Sequence, residues 1–80
     1  MELNEATMQA ASTINYGDRL TALREHKGWT RERLAVAANV SYWTVRNLET
    51  NRSPLRLDYA EAIALAYSMP MIKFWEWMCG

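Results

Sequence analysis

The feature that most constrains the fold is an interruption between two short helical segments in the middle of the chain. Leucine and alanine recur at helical spacing before residue 39, and valine and leucine recur at that spacing after residue 41. Asn39 tolerates the left-handed backbone of a sharp turn, and Ser41 is a favourable N-cap for the second segment. Two helices of about eight residues joined by a turn of about three residues have the geometry of a helix-turn-helix.

The rest of the chain extends this pair into an all-α fold, a compact bundle of four or five helices. An apolar face over Tyr16–Lys27 predicts a first helix that ends at Gly28, a residue suited to a left-handed position. We expect a fourth helix to begin at Leu57, with that leucine facing inward, and to end near Tyr67. A fifth helix is expected after Pro70, because proline is favourable in the first turn.

The composition fits one small ordered domain and offers little catalytic chemistry. Eighty residues, half of them apolar, with three glycines and two prolines, favour a helix-rich globule over a disordered chain. A single cysteine, Cys79, and a single histidine, His26, make neither a disulfide nor a metal cluster, and no nucleophile–base pair is evident. We therefore expect a cytoplasmic protein that is not an enzyme, without metal, cofactor, small-molecule ligand or membrane span.

Charge is distributed unevenly along the chain although the net charge is zero. Residues 17–56 carry eight basic side chains against four acidic ones, whereas both flanking segments are acidic. This polarity is compatible with a polyanionic partner for the middle of the molecule. On charge alone, an ordinary solvated helix surface explains the pattern equally well.

The second helix of the pair is expected to present an unusual set of side chains to solvent. Once Val45 and Leu48 face inward, the opposite face near the N-terminal half of that helix is fixed. It carries Tyr42, Trp43, Arg46 and Asn47.

These four side chains suit the major groove of DNA, which is roughly 12 Å wide and admits one helix. Arg46 can donate two hydrogen bonds to guanine, and Asn47 can pair with adenine. Tyr42 can contact a phosphate or a thymine methyl group, and Trp43 offers apolar contact to thymine methyl groups. Aromatic residues beside an arginine also anchor protein interfaces, so a protein partner is the alternative.

The stretch "LTALREHKGWTRERLAVAANVSYWTVRNLETNRSP" resembles the phage repressor/Cro-type, or XRE, helix-turn-helix family. The similarity rests on Leu-x-x-Leu-Arg, Lys-Gly-x-Thr, Leu-Ala, Val-Ser, Thr-Val, Leu-Glu and a closing Pro. It implies a lambda-repressor-like bundle that binds operator DNA, commonly as a dimer on paired half-sites. The turn glycines of the family are replaced here by Asn39 and Asn51.

The resemblance also implies which residues contact DNA. The base-contacting positions of the family fall on Tyr42, Trp43, Arg46 and Asn47. The position of its phosphate-binding glutamine is Arg31, and the loop after the recognition helix resembles a phosphate clamp. The expected phosphate contacts are therefore Arg31, Ser41, Asn51, Arg52 and Ser53. Glu49 is expected to be structural, in an ion pair with Arg24 or Arg31.

The C-terminal stretch "MIKFWEWMC" carries more aromatic area than a domain of this size is expected to bury. We expect it to form the surface of a homodimer, with the contacting residues Ile72, Phe74, Trp75, Trp77 and Met78. The alternative is that these rings cover the core of the monomer itself. The expected organisation is an arm or short helix over residues 1–15 and, over residues 16–80, a DNA-binding domain with a C-terminal dimerisation helix.

Together these features predict a sequence-specific transcriptional regulator, most simply a repressor, that binds double-stranded operator DNA as a homodimer. Residues 41–49 would form its recognition helix. The alternative is a helix-turn-helix scaffold that acts mainly as a protein-binding inhibitor or antitoxin.

Overall fold

The computed structural model describes residues 16–79, so the predicted arm or short helix over residues 1–15 lies outside the described residues. Within the described range all regular elements are helices and there is no strand, as the sequence predicts. The helices are α1 (Tyr16–Lys27), α2 (Arg31–Ala38), α3 (Tyr42–Glu49), α4 (Leu57–Ala66) and α5 (Met71–Cys79). None of these helices is long and apolar enough to cross a membrane.

Both helices of the central pair begin on a side-chain hydroxyl. The Thr30 hydroxyl accepts a hydrogen bond from the backbone N–H of Arg33 at 3.1 Å. The Ser41 hydroxyl accepts one from the backbone N–H of Thr44, also at 3.1 Å. Each cap satisfies one of the donors that a helix leaves unpaired at its start, so the first turn of α2 and of α3 is fixed locally.

Four of the described helices, α1 to α4, end in the same way, on a residue with a left-handed backbone. These residues are Gly28, Asn39, Asn51 and Ser68, with φ between 55° and 73°. In each case two backbone N–H groups turn back to the last carbonyls of the helix, for example Arg52 N to Asn47 O at 2.8 Å. The sequence predicts the first three residues. It misses Ser68, because serine has little preference for this conformation.

The core lies among all five helices and is closed at one side by α5. Its largest fully buried side chains are Leu23, Leu34, Val45, Phe74 and Met78. The helix pair α2–α3 packs through α3 against α1 and through α2 against α4, and α5 packs against α1 and α4.

Two expectations about inward and outward residues are wrong. Phe74 and Met78, expected in a dimer interface, lie one helical turn apart on the buried side of α5 and are completely enclosed by the monomer. Leu57, expected to face inward, is exposed, because the buried stripe of α4 begins one turn later at Ala60. In α5 nearly every residue is apolar, so the spacing alone does not distinguish its two sides.

The start of α1 is joined to the end of α3 by a close backbone contact. The backbone N–H of Gly17 donates to the side-chain oxygen of Asn51 at 3.0 Å. A Cβ atom at position 17 would overlap the backbone carbonyl oxygen of Glu49. Glycine is required here because α1 approaches the backbone of α3 without room for any side chain.

The substitution Gly17→Ala should lower the free energy of unfolding by about 1–3 kcal/mol, the usual cost of overpacking. The better helix propensity of alanine, at most about 1 kcal/mol, offsets only part of this cost. Urea unfolding followed by circular dichroism measures the change. Gly28→Asn is the matched control, since its side chain meets open space and asparagine tolerates the left-handed backbone there. Equal stability of Gly17→Ala and the wild type would contradict the proposed close approach.

Candidate nucleic-acid interface

Helix α3 has one buried side and one exposed side, and these sides differ sharply in chemistry. Val45, Leu48 and Glu49 face the other helices and are buried. The opposite side, which we call the outer face of α3, carries the four residues that the sequence predicts to contact bases. They are Tyr42, Trp43, Arg46 and Asn47; Trp43 is 61% exposed and the others are partly exposed.

Three of the four side chains of the outer face, those of Tyr42, Trp43 and Arg46, form a contiguous cluster. The rings of Tyr42 and Trp43 meet edge to face, with centroids 5.5 Å apart and planes at 80°. The guanidinium carbon of Arg46 lies 5.3 Å from the centroid of the Trp43 ring, within the range of a cation–π contact. The structure therefore brings together the aromatic and cationic groups that the sequence assigns to base contacts.

The buried side is held by a carboxylate between two guanidinium groups. The Glu49 side chain is only 1% exposed, and its oxygens accept hydrogen bonds from Nε of Arg24 at 2.7 Å and Nε of Arg31 at 2.8 Å. A second nitrogen of Arg24 donates to the same carboxylate at 3.2 Å, and a third donates to the Trp29 carbonyl at 2.8 Å. One carboxylate thus ties α1 and α2 to the end of α3. The sequence predicts one of these two ion pairs, and the structure contains both.

Arg31, predicted to contact a phosphate, has a structural role in the folded protein. Hydrogen bonding to Glu49, and then to the Tyr42 side chain, raises the pKa of the Arg31 guanidinium. Its Nε donates to the buried Glu49 carboxylate, so this guanidinium serves the packing of α3.

The other predicted phosphate-contacting residues lie at the two ends of α3. Ser41 precedes the helix, and Asn51, Arg52 and Ser53 follow it in a loop closed onto the Asn47 carbonyl by the backbone N–H groups of Arg52 and Ser53. The Asn51 side chain also caps α1, a role that the sequence does not reveal. The eight residues of α3 span about 12 Å. The residues before α3 and those after it are therefore separated by about the width of the major groove.

Comparison with known families decides the identity of the domain. A family profile described as helix-turn-helix matches residues 20–74, which is more than half of the chain. The chain belongs to the XRE-type helix-turn-helix family. Searches among curated proteins and among solved structures gave no match.

Members of the helix-turn-helix family are DNA-binding regulators and not enzymes, and this chain is a DNA-binding regulator of that type. The match extends from α1 into α5 and includes the whole α2–turn–α3 unit. It confirms the resemblance drawn from the sequence and agrees with the all-helical fold.

The surface charges of this helix-turn-helix protein are not equally available to a nucleic acid. Arg56 is paired with Asp58 at 2.8 Å, and Lys73 lies 3.8 Å from Glu76 on α5. The Arg56 guanidinium holds the pKa of the Asp58 carboxyl below its usual value, so this exposed pair stays charged and locally neutral. Arg52, beside the end of α3, is exposed to solvent.

Glu49→Ala should lower the free energy of unfolding by about 3 kcal/mol, because it leaves two partly buried guanidinium groups without their carboxylate. The value lies at the lower end of the range for buried pairs, since Arg24 and Arg31 retain some contact with water. Thermal and urea unfolding measure the loss. Glu76→Ala, at an exposed ion pair on α5, is the control and should leave stability nearly unchanged. If Glu49→Ala were as stable as Glu76→Ala, the Glu49 carboxylate would have no structural role.

Proposed function

We propose that this protein is a transcriptional repressor that binds operator DNA as a homodimer, with α3 inserted into the major groove. The observation that carries the proposal is the division of α3 into a side held by Glu49 and an outer face of aromatic, cationic and amide groups. A helix fixed on one side and exposed on the other can present its side chains to base edges without first becoming ordered.

Base recognition is assigned to the outer face of α3. The guanidinium of Arg46 suits the O6 and N7 atoms of guanine, which accept two hydrogen bonds from an arginine. The amide of Asn47 suits adenine in the same way. Tyr42 and Trp43 add contacts to phosphate or to thymine methyl groups.

Phosphate contacts are assigned to the two ends of α3. Ser41 lies at the start, where the N-terminal end of the helix favours an anion. Asn51, Arg52 and Ser53 lie at the other end, and Arg52 supplies the positive charge. Arg31 contributes mainly through the fold, since its Nε is bound to Glu49. These contacts set the register on the duplex, and their strength depends on salt.

Arg46→Ala should cost about 1–3 kcal/mol of binding free energy on the selected site and relax the preference at one base pair. Arg52→Ala should weaken binding to selected and random DNA alike and lower the salt slope by about one. Titration of fluorescent duplexes at several salt concentrations measures both effects. The duplexes are a site recovered from a random pool and a scrambled version of it.

Lys73→Gln is the matched control for charge, because Lys73 lies on α5 and is paired with Glu76. It should change binding much less than Arg52→Ala does. If Arg46→Ala lost equal affinity for both duplexes, Arg46 would be a phosphate contact and not a base contact. If binding to a protein partner persisted from 50 to 200 mM salt while no duplex bound, the inhibitor or antitoxin alternative would replace the repressor.

We assign the dimer interface to the exposed side of α5. Three of the five residues that the sequence predicts for this interface remain, because Phe74 and Met78 are buried. Ile72 is 69% exposed, and Trp75 and Trp77 are partly exposed. Trp75 meets Tyr16 edge to face at 5.8 Å, and Trp77 lies 5.2 Å from the ring of His26. These contacts with α1 widen the apolar surface and hold its rings in place.

Sedimentation at micromolar concentration should show a species of twice the 9.3 kDa monomer mass. Ile72→Lys should shift it toward the monomer, because a charge would be buried at the interface while the exposed position leaves the fold intact. Leu65→Lys, at an exposed leucine on α4, is the control and should leave the dimer unchanged. A clean 9.3 kDa species for the wild type at all concentrations would contradict the homodimer.

A further inference from the structure

Trp43 is the largest exposed group on the outer face of α3, and its chemistry limits what it can recognise. Its indole ring has one N–H donor and no acceptor, so a tryptophan gains little from the hydrogen-bonding edges of bases. At 61% exposure the ring is open to an approaching ligand. The apolar group that base edges present in the major groove is the C5-methyl group of thymine. An exposed tryptophan at this place is therefore suited to a methyl group.

Arg46 is positioned against the same ring. Residues 43 and 46 are one turn apart on α3, and the guanidinium carbon lies 5.3 Å from the ring centroid. A guanidinium that lies against a ring keeps N–H groups at its edge for a guanine, because these groups lie in its plane. The ring thus reduces the motion of the arginine before DNA arrives, which lowers the entropic cost of binding.

The distance between the two groups sets which bases they can reach together. Successive bases on a strand are about 3.4 Å apart, so two steps correspond to about 6.8 Å. The 5.3 Å separation of the Trp43 ring and the Arg46 guanidinium is shorter than two steps. The two side chains therefore reach the same base pair or neighbouring ones, and one cannot be placed on a distant part of the site without the other.

Tyr42 packs against the same pair. The Tyr42 ring stands at 80° to the Trp43 ring with centroids 5.5 Å apart. Trp43 therefore contacts both an aromatic ring and a guanidinium group although most of its surface is exposed.

We propose that Trp43 and Arg46 act as one unit that recognises a C5-methylated pyrimidine next to a guanine, with Trp43 on the methyl group and Arg46 on the guanine. The inference deepens the proposed function and rests on it. The pyrimidine is thymine in unmodified DNA. Because the ring contacts the methyl group, 5-methylcytosine at the same place binds better than cytosine does. Binding therefore responds to cytosine methylation at steps of this kind.

The test uses duplexes recovered by this protein from a random pool, with single bases replaced. Deoxyuridine in place of each thymine removes one methyl group and leaves pairing unchanged. At the thymine beside the guanine that Arg46 contacts, the loss should be roughly fourfold, the value of one buried methyl group. Cytosine paired with guanine at that position should bind weakly, and 5-methylcytosine should restore a roughly fourfold gain over cytosine.

Trp43→Ala identifies the source of the methyl effect. In this variant uracil and thymine should bind equally, and so should cytosine and 5-methylcytosine, although overall affinity falls. Leu65→Ala, an exposed leucine on α4, is the control and should keep the full wild-type methyl effect. Circular dichroism checks that both variants remain folded, which their exposed positions favour.

The inference is overturned if no thymine in the recovered sites shows a methyl effect, or if the effect is as large in Trp43→Ala as in the wild type. Both results leave DNA recognition by α3 intact, because the sites have been recovered. A pool from which no sequence is enriched is a different result. It contradicts the proposed function and removes the methyl preference with it.

Discussion

The arrangement of the central helices depends on one buried carboxylate. Glu49 is shared by guanidinium groups from α1 and α2, and it stands in the last turn of α3. Apolar contacts through Val45 and Leu48 are tolerant of small rotations, whereas short hydrogen bonds to a carboxylate are directional. Burying such charges has a large desolvation cost, so the net stabilisation is modest. The main effect of the Glu49 carboxylate is to fix the orientation of α3 relative to α1 and α2.

The short helices explain why this tie matters. Helices α2 and α3 have eight residues each, a length at which an isolated helix is unstable in water. Their ends are closed locally by Thr30 and Ser41 at the starts and by left-handed asparagines after the ends. These caps define where each helix begins and ends, but not how the helices face one another. The orientation of the helices relative to one another is set by the cluster of Glu49, Arg24 and Arg31 and by the close approach of Gly17 to α3.

The parts of the structure that the sequence predicts are those governed by local chemistry. The helix caps, the left-handed residues and the helix pair follow from residue types at fixed spacing. The resemblance to the family also limited the expected ion-pair partners of Glu49 to Arg24 and Arg31. The failures arise where neighbours in space decide. Phe74 and Met78 belong to a helix in which nearly every residue is apolar, so packing against α1 and α4 determines its buried side. The capping of α1 by Asn51 joins residues that no spacing rule relates.

The separation of the two sides of α3 has a consequence for the divergence of such proteins. Trp43, the most exposed residue of the outer face, contributes little to the core, whereas Val45, Leu48 and Glu49 carry the packing. Surface substitutions away from the core usually change stability by less than about 0.5 kcal/mol. Descendants of this chain can therefore exchange the exposed group at position 43 at little risk to folding. The turn at Asn39 and the buried Glu49 carboxylate maintain the fold, so they are expected to change more slowly than the exposed residue Trp43.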